Sequence, residues 1–173
     1  EQMLASAHIE VKNFDPDACE IFEGCVGGPG ARTLLRFDLR TPNVGAGDLY
    51  LGDPEGNDLF EFSQCHNHYH FLSYADYRLI DGDGNEVAFG HKQAFCLEDI
   101  QPNTNPAMSE SQFTCSFQGI TAGWSDVYNS GLPCQWVDIT DVPPGNYTLH
   151  AAVNFDQVVI ESSFDNNTAD VPV

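Results

Sequence analysis

Turn-forming residues interrupt this chain at short intervals. Between them only brief runs of alternating apolar and polar side chains survive. Arg32–Arg40 alternates from Leu35 onward and reads as a strand. Pro42–Asp48 breaks it, Leu49–Leu51 resumes, and Asp53–Asp58 turns again. Phe60–Leu72 reads as one long β segment, followed by a strand over Tyr74–Ile80, a hairpin turn at Asp81–Asn85 and a return over Glu86–Phe89. Residues 99–114 are polar and rich in Pro, Asn and Ser, and read as a loop. Gln135–Val142 and Tyr147–Asn154 flank a Pro-Pro-Gly-Asn turn, and Gln157–Glu161 and Ala169–Val173 flank a second turn at Asp165–Asn167. Only Asp15–Ile21 has a helical look. Short strands with turns roughly every 8–12 residues argue for a sandwich. The expected fold is all-β: a disulfide-linked β-sandwich-like core with long irregular loops and little helix. A length of 173 residues suits one core, so residues 1–173 are expected to form a single domain.

The six cysteines, at 19, 25, 65, 96, 115 and 134, form no CxxC pair. That argues against a zinc knuckle or a thioredoxin-type motif and for disulfides in a secreted or extracellular setting. Glu1 is read as following a leader already removed. No apolar stretch approaches the ~18 residues of a membrane span, so membrane insertion is not expected. Six Lys and Arg stand against 26 Asp and Glu, a net charge of −20. Nucleic acid and anionic lipid both need cationic patches, so neither is an expected partner. The acidity serves solubility, and it also draws in cationic substrates.

The strongest chemical signal is Cys65-His66-Asn67-His68-Tyr69-His70. On a strand, positions i, i+2 and i+4 share a face, so His66, His68 and His70 would point the same way. A flat strand would leave the outer two Cα atoms roughly 13 Å apart, against metal–nitrogen bonds of about 2 Å. The strand must therefore bend, or His68 must use its nearer Nδ1. Imidazoles suit copper, zinc, iron and nickel alike, and three of them with an open position serve either a hydrolytic or an oxidative centre. The competing reading is a solvent-facing polar strand. Asp81–Asn85 has a faint calcium-loop pattern. However, Glu86 stands where an EF-hand needs glycine and Lys92 where it needs glutamate, so a plain hairpin is expected.

Ser63–His70 resembles the copper-binding segment of the lysyl oxidases. The similarity continues through Tyr77–Asp81, Gly90–Asp99, Asp126–Tyr128, Cys134–Val142, Pro144–Tyr147 and Glu161–Asn167. The acidity and short frame suggest a microbial member. The resemblance implies copper held by His66, His68 and His70. It also implies a lysine tyrosylquinone made from Lys92 and Tyr128. The activity would then be copper-dependent amine oxidation, converting primary amines (peptidyl lysine or small amines) and dioxygen to aldehyde, ammonia and hydrogen peroxide. Lys92 is one of only two lysines, and its apolar neighbours Phe89, Ala94 and Phe95 suit a lowered amine pKa. Asp126, two residues before Tyr128, is the candidate base.

The same resemblance pairs Cys19 with Cys65, Cys25 with Cys134 and Cys96 with Cys115. Trp124 stands where the family has half of a fourth bridge. Glu161, Asn166 and Asn167 match a family calcium site, although Ser163 replaces one acidic ligand; an Asn-capped turn is the competing reading. Two other functions fit parts of the pattern: a secreted, metal-stabilised β-sandwich binding module without catalysis, and a three-histidine zinc hydrolase.

Overall fold

The computed structural model describes residues 4–72, 74–90, 94–105 and 107–173. Among them, fourteen strands and one short helix follow in chain order. These are β1 (Leu4–Phe14), α1 (Cys19–Phe22), β2 (Gly30–Pro42), β3 (Leu49–Gly52), β4 (Phe60–Ser63), β5 (His68–Leu72), β6 (Ala75–Ile80) and β7 (Glu86–Gly90). They continue with β8 (Ala94–Phe95), β9 (Gln101–Pro102), β10 (Gln118–Ile120), β11 (Trp124–Tyr128), β12 (Trp136–Asp138), β13 (Thr148–Val153) and β14 (Thr168–Pro172). The expected all-β architecture is the observed one. The chain clusters into two compact units, and β2 and β11 each pass from one into the other.

The first unit comprises Glu1–Leu39, Ala75–Gln93 and Tyr128–Val173. Here β2 pairs antiparallel with β1 on one side and β12 on the other. A second antiparallel sheet runs β14-β13-β6-β7. The two sheets meet through apolar faces. Phe37 of β2 sets its ring edge-on to Tyr77 of β6, with centroids 4.8 Å apart, and both side chains are fully buried. Phe14, Val26, Leu34 and Trp136 pack around the Cys25–Cys134 disulfide. The Trp136 indole N–H donates to Cys25 O at 2.9 Å, which satisfies the one polar atom of a buried ring. Arg36 is buried as well; its guanidinium lies 4.4 Å from the Trp136 ring and pairs with Glu10.

The second unit comprises Arg40–Tyr74 and Ala94–Val127. It holds the three-stranded sheet β4-β5-β8, the pairs β3·β10 and β9·β11, and the Cys96–Cys115 disulfide. Both resolved pairings, Cys25–Cys134 and Cys96–Cys115, are those the resemblance implied, and Cys19 and Cys65 are also disulfide-bonded.

Three expectations about elements need correction. Phe60–Leu72 is a hairpin, with β4 and β5 joined by a turn at residues 64–67. Gln157–Glu161 is irregular, because the Asn154 side chain donates to Val159 O and accepts from Val159 N–H, taking the place of a strand partner. Gln135–Val142 contributes only Trp136–Asp138 as strand; beyond it, the Asp138 carboxylate accepts from the Thr140 N–H and hydroxyl and turns the chain. The Asp81–Asn85 hairpin is as expected, with the Asp81 carboxylate accepting from the N–H groups of Asp83 and Asn85 and Gly84 supplying a φ of 85°. Among the described residues, no helix is long and apolar enough to cross a membrane.

Candidate metal centre

The β4–β5 hairpin sorts its side chains by the two-residue period of a strand. Register pairs Glu61 with His70 and Ser63 with His68, while Phe60 faces Phe71 and Phe62 faces Tyr69. One face is therefore aromatic: Phe60–Phe71 and Phe62–Tyr69 stack edge-to-face at 5.5 and 5.2 Å. The other face carries His68 and His70. His66 reaches the same point from the turn. Asn67 adopts a left-handed φ of 55°, a conformation that Asn tolerates better than most residues, and its N–H donates to Ser63 O at 2.8 Å. The His66 N–H donates to Ser63 Oγ at 3.2 Å. The turn thus removes the 13 Å problem of a flat strand: of the alternatives, the chain bends, and Nδ1 is presented by His66 while His68 presents Nε2.

His66 Nδ1 lies 3.1 Å from His70 Nε2, which lies 3.1 Å from His68 Nε2. The three ligand atoms fall within 4.8 Å of one another. Two nitrogens each ~2.0 Å from one ion, subtending ~100° at it, stand about 3.1 Å apart. The donor set therefore fits a single first-row transition metal in both spacing and chemistry. His70 is buried, and His66 and His68 are half-buried, so the cluster opens to one side. Two other groupings, Glu23 with Cys25 and Cys134, and Glu98 with Cys96 and Cys115, place carboxylates near sulfur. Their sulfurs are tied up in disulfides and offer no thiolate.

The strand β5 is held in place by a residue the sequence reading passed over. Gln118 is fully buried; its Nε2 donates to Tyr69 O at 3.0 Å and Cys115 O at 3.2 Å, and its Oε1 accepts from Leu97 N–H at 3.0 Å. Its position between Cys115 and an apolar run was the only signal.

Asp126 is buried in the same unit. Burial pushes its carboxyl well above the ordinary range, and the nearby charges of Glu98 and Asp99 add to this against one opposing bond from the Val127 N–H. Glu98 is itself raised, first by burial and also by Asp99, with the Cys115 N–H opposing. Tyr128 ends β11 as a buried side chain in the first unit. Lys92 lies outside the described residues. Of the residues matched to a calcium site, Glu161 and Asn167 meet, with Asn167 Nδ2 donating to Glu161 Oε1 at 2.9 Å, while Asn166 is exposed. Asn154 also donates to that carboxylate oxygen, a partner the sequence reading missed.

The lysyl oxidase family model matches residues 3–173. The chain belongs to the lysyl oxidase family. It is 42% identical over 140 residues to lysyl oxidase homolog 1 of Homo sapiens, covering 79% of this chain and 24% of that protein. It is 43% identical over 143 residues to human lysyl oxidase homolog 4 (80% and 18%), and 35% identical over 171 residues to human lysyl oxidase homolog 3 (94% and 22%). The chain thus spans about a quarter or less of the length of these relatives.

Proposed function

We propose that this chain is the single catalytic domain of a copper amine oxidase. It would act on primary amines, whether peptidyl lysine or small amines, in an extracellular or similarly oxidising compartment. The convergence of His66 Nδ1, His68 Nε2 and His70 Nε2 on one point carries the reading. Family membership supports it. The overall reaction balances as amine, dioxygen and water giving aldehyde, ammonia and hydrogen peroxide.

His66, His68 and His70 would hold copper, and Tyr128 and Lys92 would furnish the phenol and amine of the quinone; the two groups would supply redox chemistry with dioxygen, an electrophilic carbonyl and an electron sink. The remaining work falls to ordinary side chains. Asp126 is the carboxyl proposed to take the substrate's α-proton. Burial and the charges of Glu98 and Asp99 raise its pKa, so its ionised form is a stronger base than that of an exposed aspartate. The charge of −20 concentrates cationic amines around the protein and repels anionic competitors. Glu161, Asn166 and Asn167 are the proposed calcium-binding residues of the turn.

Peptide mass mapping after copper loading in air tests the proposal. The expected result is a joined Lys92–Tyr128 peptide, peroxide release on adding a primary amine, and loss of both in Lys92→Arg and Tyr128→Phe. Copper-loaded, aerated protein with both residues unmodified and no peroxide release would overturn it and leave a metal-stabilised binding module.

A further inference from the structure

β5 has strand partners on both sides, but not along its whole length. Its bond pattern with β4 is fixed by the Leu72 N–H donating to Leu59 O at 3.0 Å, in register with pairs Glu61–His70 and Ser63–His68. In an antiparallel ladder, alternate residues bond to opposite sides. His68 and His70 therefore direct their backbone groups to β4, while Tyr69 and Phe71 direct theirs the other way. Phe71 meets β8, whose register with β5 covers only Phe71↔Phe95 and Leu72↔Ala94. Tyr69, the residue between two of the converging histidines, lies beyond the end of β8. Its carbonyl is taken by Gln118 Nε2.

The network fixes the orientation of that amide. One end faces the carbonyls of Tyr69 and Cys115 and must be the NH2; the other faces the Leu97 N–H and must be the oxygen. All three partners are satisfied and the side chain has no exposure. Gln118 is anchored in turn. Gly119 N–H donates to Leu97 O at 3.0 Å, and the Cys96–Cys115 disulfide closes the loop that carries two of the three bonded backbone groups.

We propose that Gln118 is a positioning residue of the metal centre. It replaces the missing end of β8, fixes the peptide between His68 and His70, and so keeps the two Nε2 atoms aimed at one point before any ion arrives. This rests on the copper reading of the cluster. Supports behind metal ligands set ligand orientation, and losing one typically weakens metal binding about 10–100-fold.

The test uses the whole chain. Gln118→Glu keeps the acceptor for Leu97 but turns an oxygen toward two carbonyls; Gln118→Met keeps the volume and removes all three bonds. Copper(II) affinity is measured by chelator competition, the copper(II) electron paramagnetic resonance spectrum is recorded, and the melting temperature is taken on metal-free protein. The expected result is copper binding at least about tenfold weaker, with altered hyperfine splitting, in variants that keep the wild-type circular dichroism. A folded variant with wild-type affinity and spectrum overturns the proposal, even if its metal-free melting temperature falls. So does failure of both variants to fold, since the role would then be general stability. Wild-type protein that binds no copper defeats the copper reading itself; wild type that binds it beside an indistinguishable variant defeats only the role of Gln118.

Discussion

Replacing Asp138 by Asn should cost about 2 kcal/mol at pH 7, and the loss should fade in acid. Its Oδ2 accepts from Gly27 N–H at 2.9 Å and from Arg32 Nε and Nη2 at 2.9 and 2.7 Å. Its Oδ1 accepts from the Thr140 N–H at 3.1 Å and the hydroxyl at 2.6 Å. The two side chains of the ion pair are only 10% and 17% exposed. Breaking a fully buried pair costs about 3–5 kcal/mol. Partial exposure of Arg32, and the second carboxylate of Asp141 at 3.9 Å, bring the Asp138→Ala cost toward about 3 kcal/mol. Asn keeps one acceptor oxygen, hence the smaller loss of about 2 kcal/mol. Burial alone would raise the Asp138 pKa. The bonds from Thr140, Gly27 and Arg32 outweigh it and hold the carboxyl below its ordinary value. A depressed folded pKa contributes stability that is complete above the unfolded value of about 3.9 and is lost as pH falls through the folded one. With a urea slope of about 2 kcal/mol/M, the midpoint should drop by about 1 M at pH 7. The gap between wild type and Asp138→Asn should then narrow below pH ~4. Equal midpoints at pH 7, or a gap unchanged in acid, would refute the reasoning.

Asp126→Asn tests the opposite sign. A raised folded pKa makes stability fall as pH climbs above the unfolded value of about 3.9, so the variant should show a shallower decline in melting temperature from pH 4 to 8; the wild-type slope in the variant would count against it. Changing both Cys25 and Cys134 to Ser opens a closure of 109 residues and should cost on the order of 4–5 kcal/mol in denaturant titrations, whereas an unchanged midpoint would contradict this. Gly119→Ala would set a Cβ 2.3 Å from Leu49 O and 2.7 Å from the Phe113 ring. The β3·β10 pair should open at a cost on the order of 3 kcal/mol, measured by urea unfolding, and a fully stable variant would refute the close approach.

Features whose cause is local were legible in the sequence. Asp81–Asn85 turns because one carboxylate bonds neighbours two and four residues on. Leu35–Arg40 alternates in residue type and is a strand as expected, although Arg36 and Arg40 on the polar side of the alternation are buried together with Leu35, Phe37 and Leu39. In β1 the pattern and the burial part company: Ala5–Lys12 alternates apolar and polar, yet Ile9 and Val11 face outward at 65% and 66% exposure and only the two end residues, Leu4 and Phe14, are buried. Gln157–Glu161 carries an apolar run typical of a strand, yet the amide of Asn154 took up the backbone bonds a neighbour would have made. A side chain overrode the pattern there, and nothing in the run itself encodes that.

The metal centre divides in the same way. Residue type and spacing singled out the three imidazoles as a candidate donor set, because imidazole is a common ligand and the three recur within five residues. Their convergence depends on Asn67 entering the left-handed region and on Ser63 accepting twice, through Oγ and the main-chain oxygen. A two-residue period assumes an extended chain throughout, and it fails where one residue reverses φ. The support behind β5 is less legible still. Gln118 bonds groups at positions 69, 97 and 115, as far as 49 residues away, so its importance exists only once the fold has formed. Had the same amide been exposed, those bonds would have competed with water and fixed little. Full burial makes each lost partner cost about 1–3 kcal/mol, which lets a neutral side chain without reactive chemistry govern the aim of two that have it.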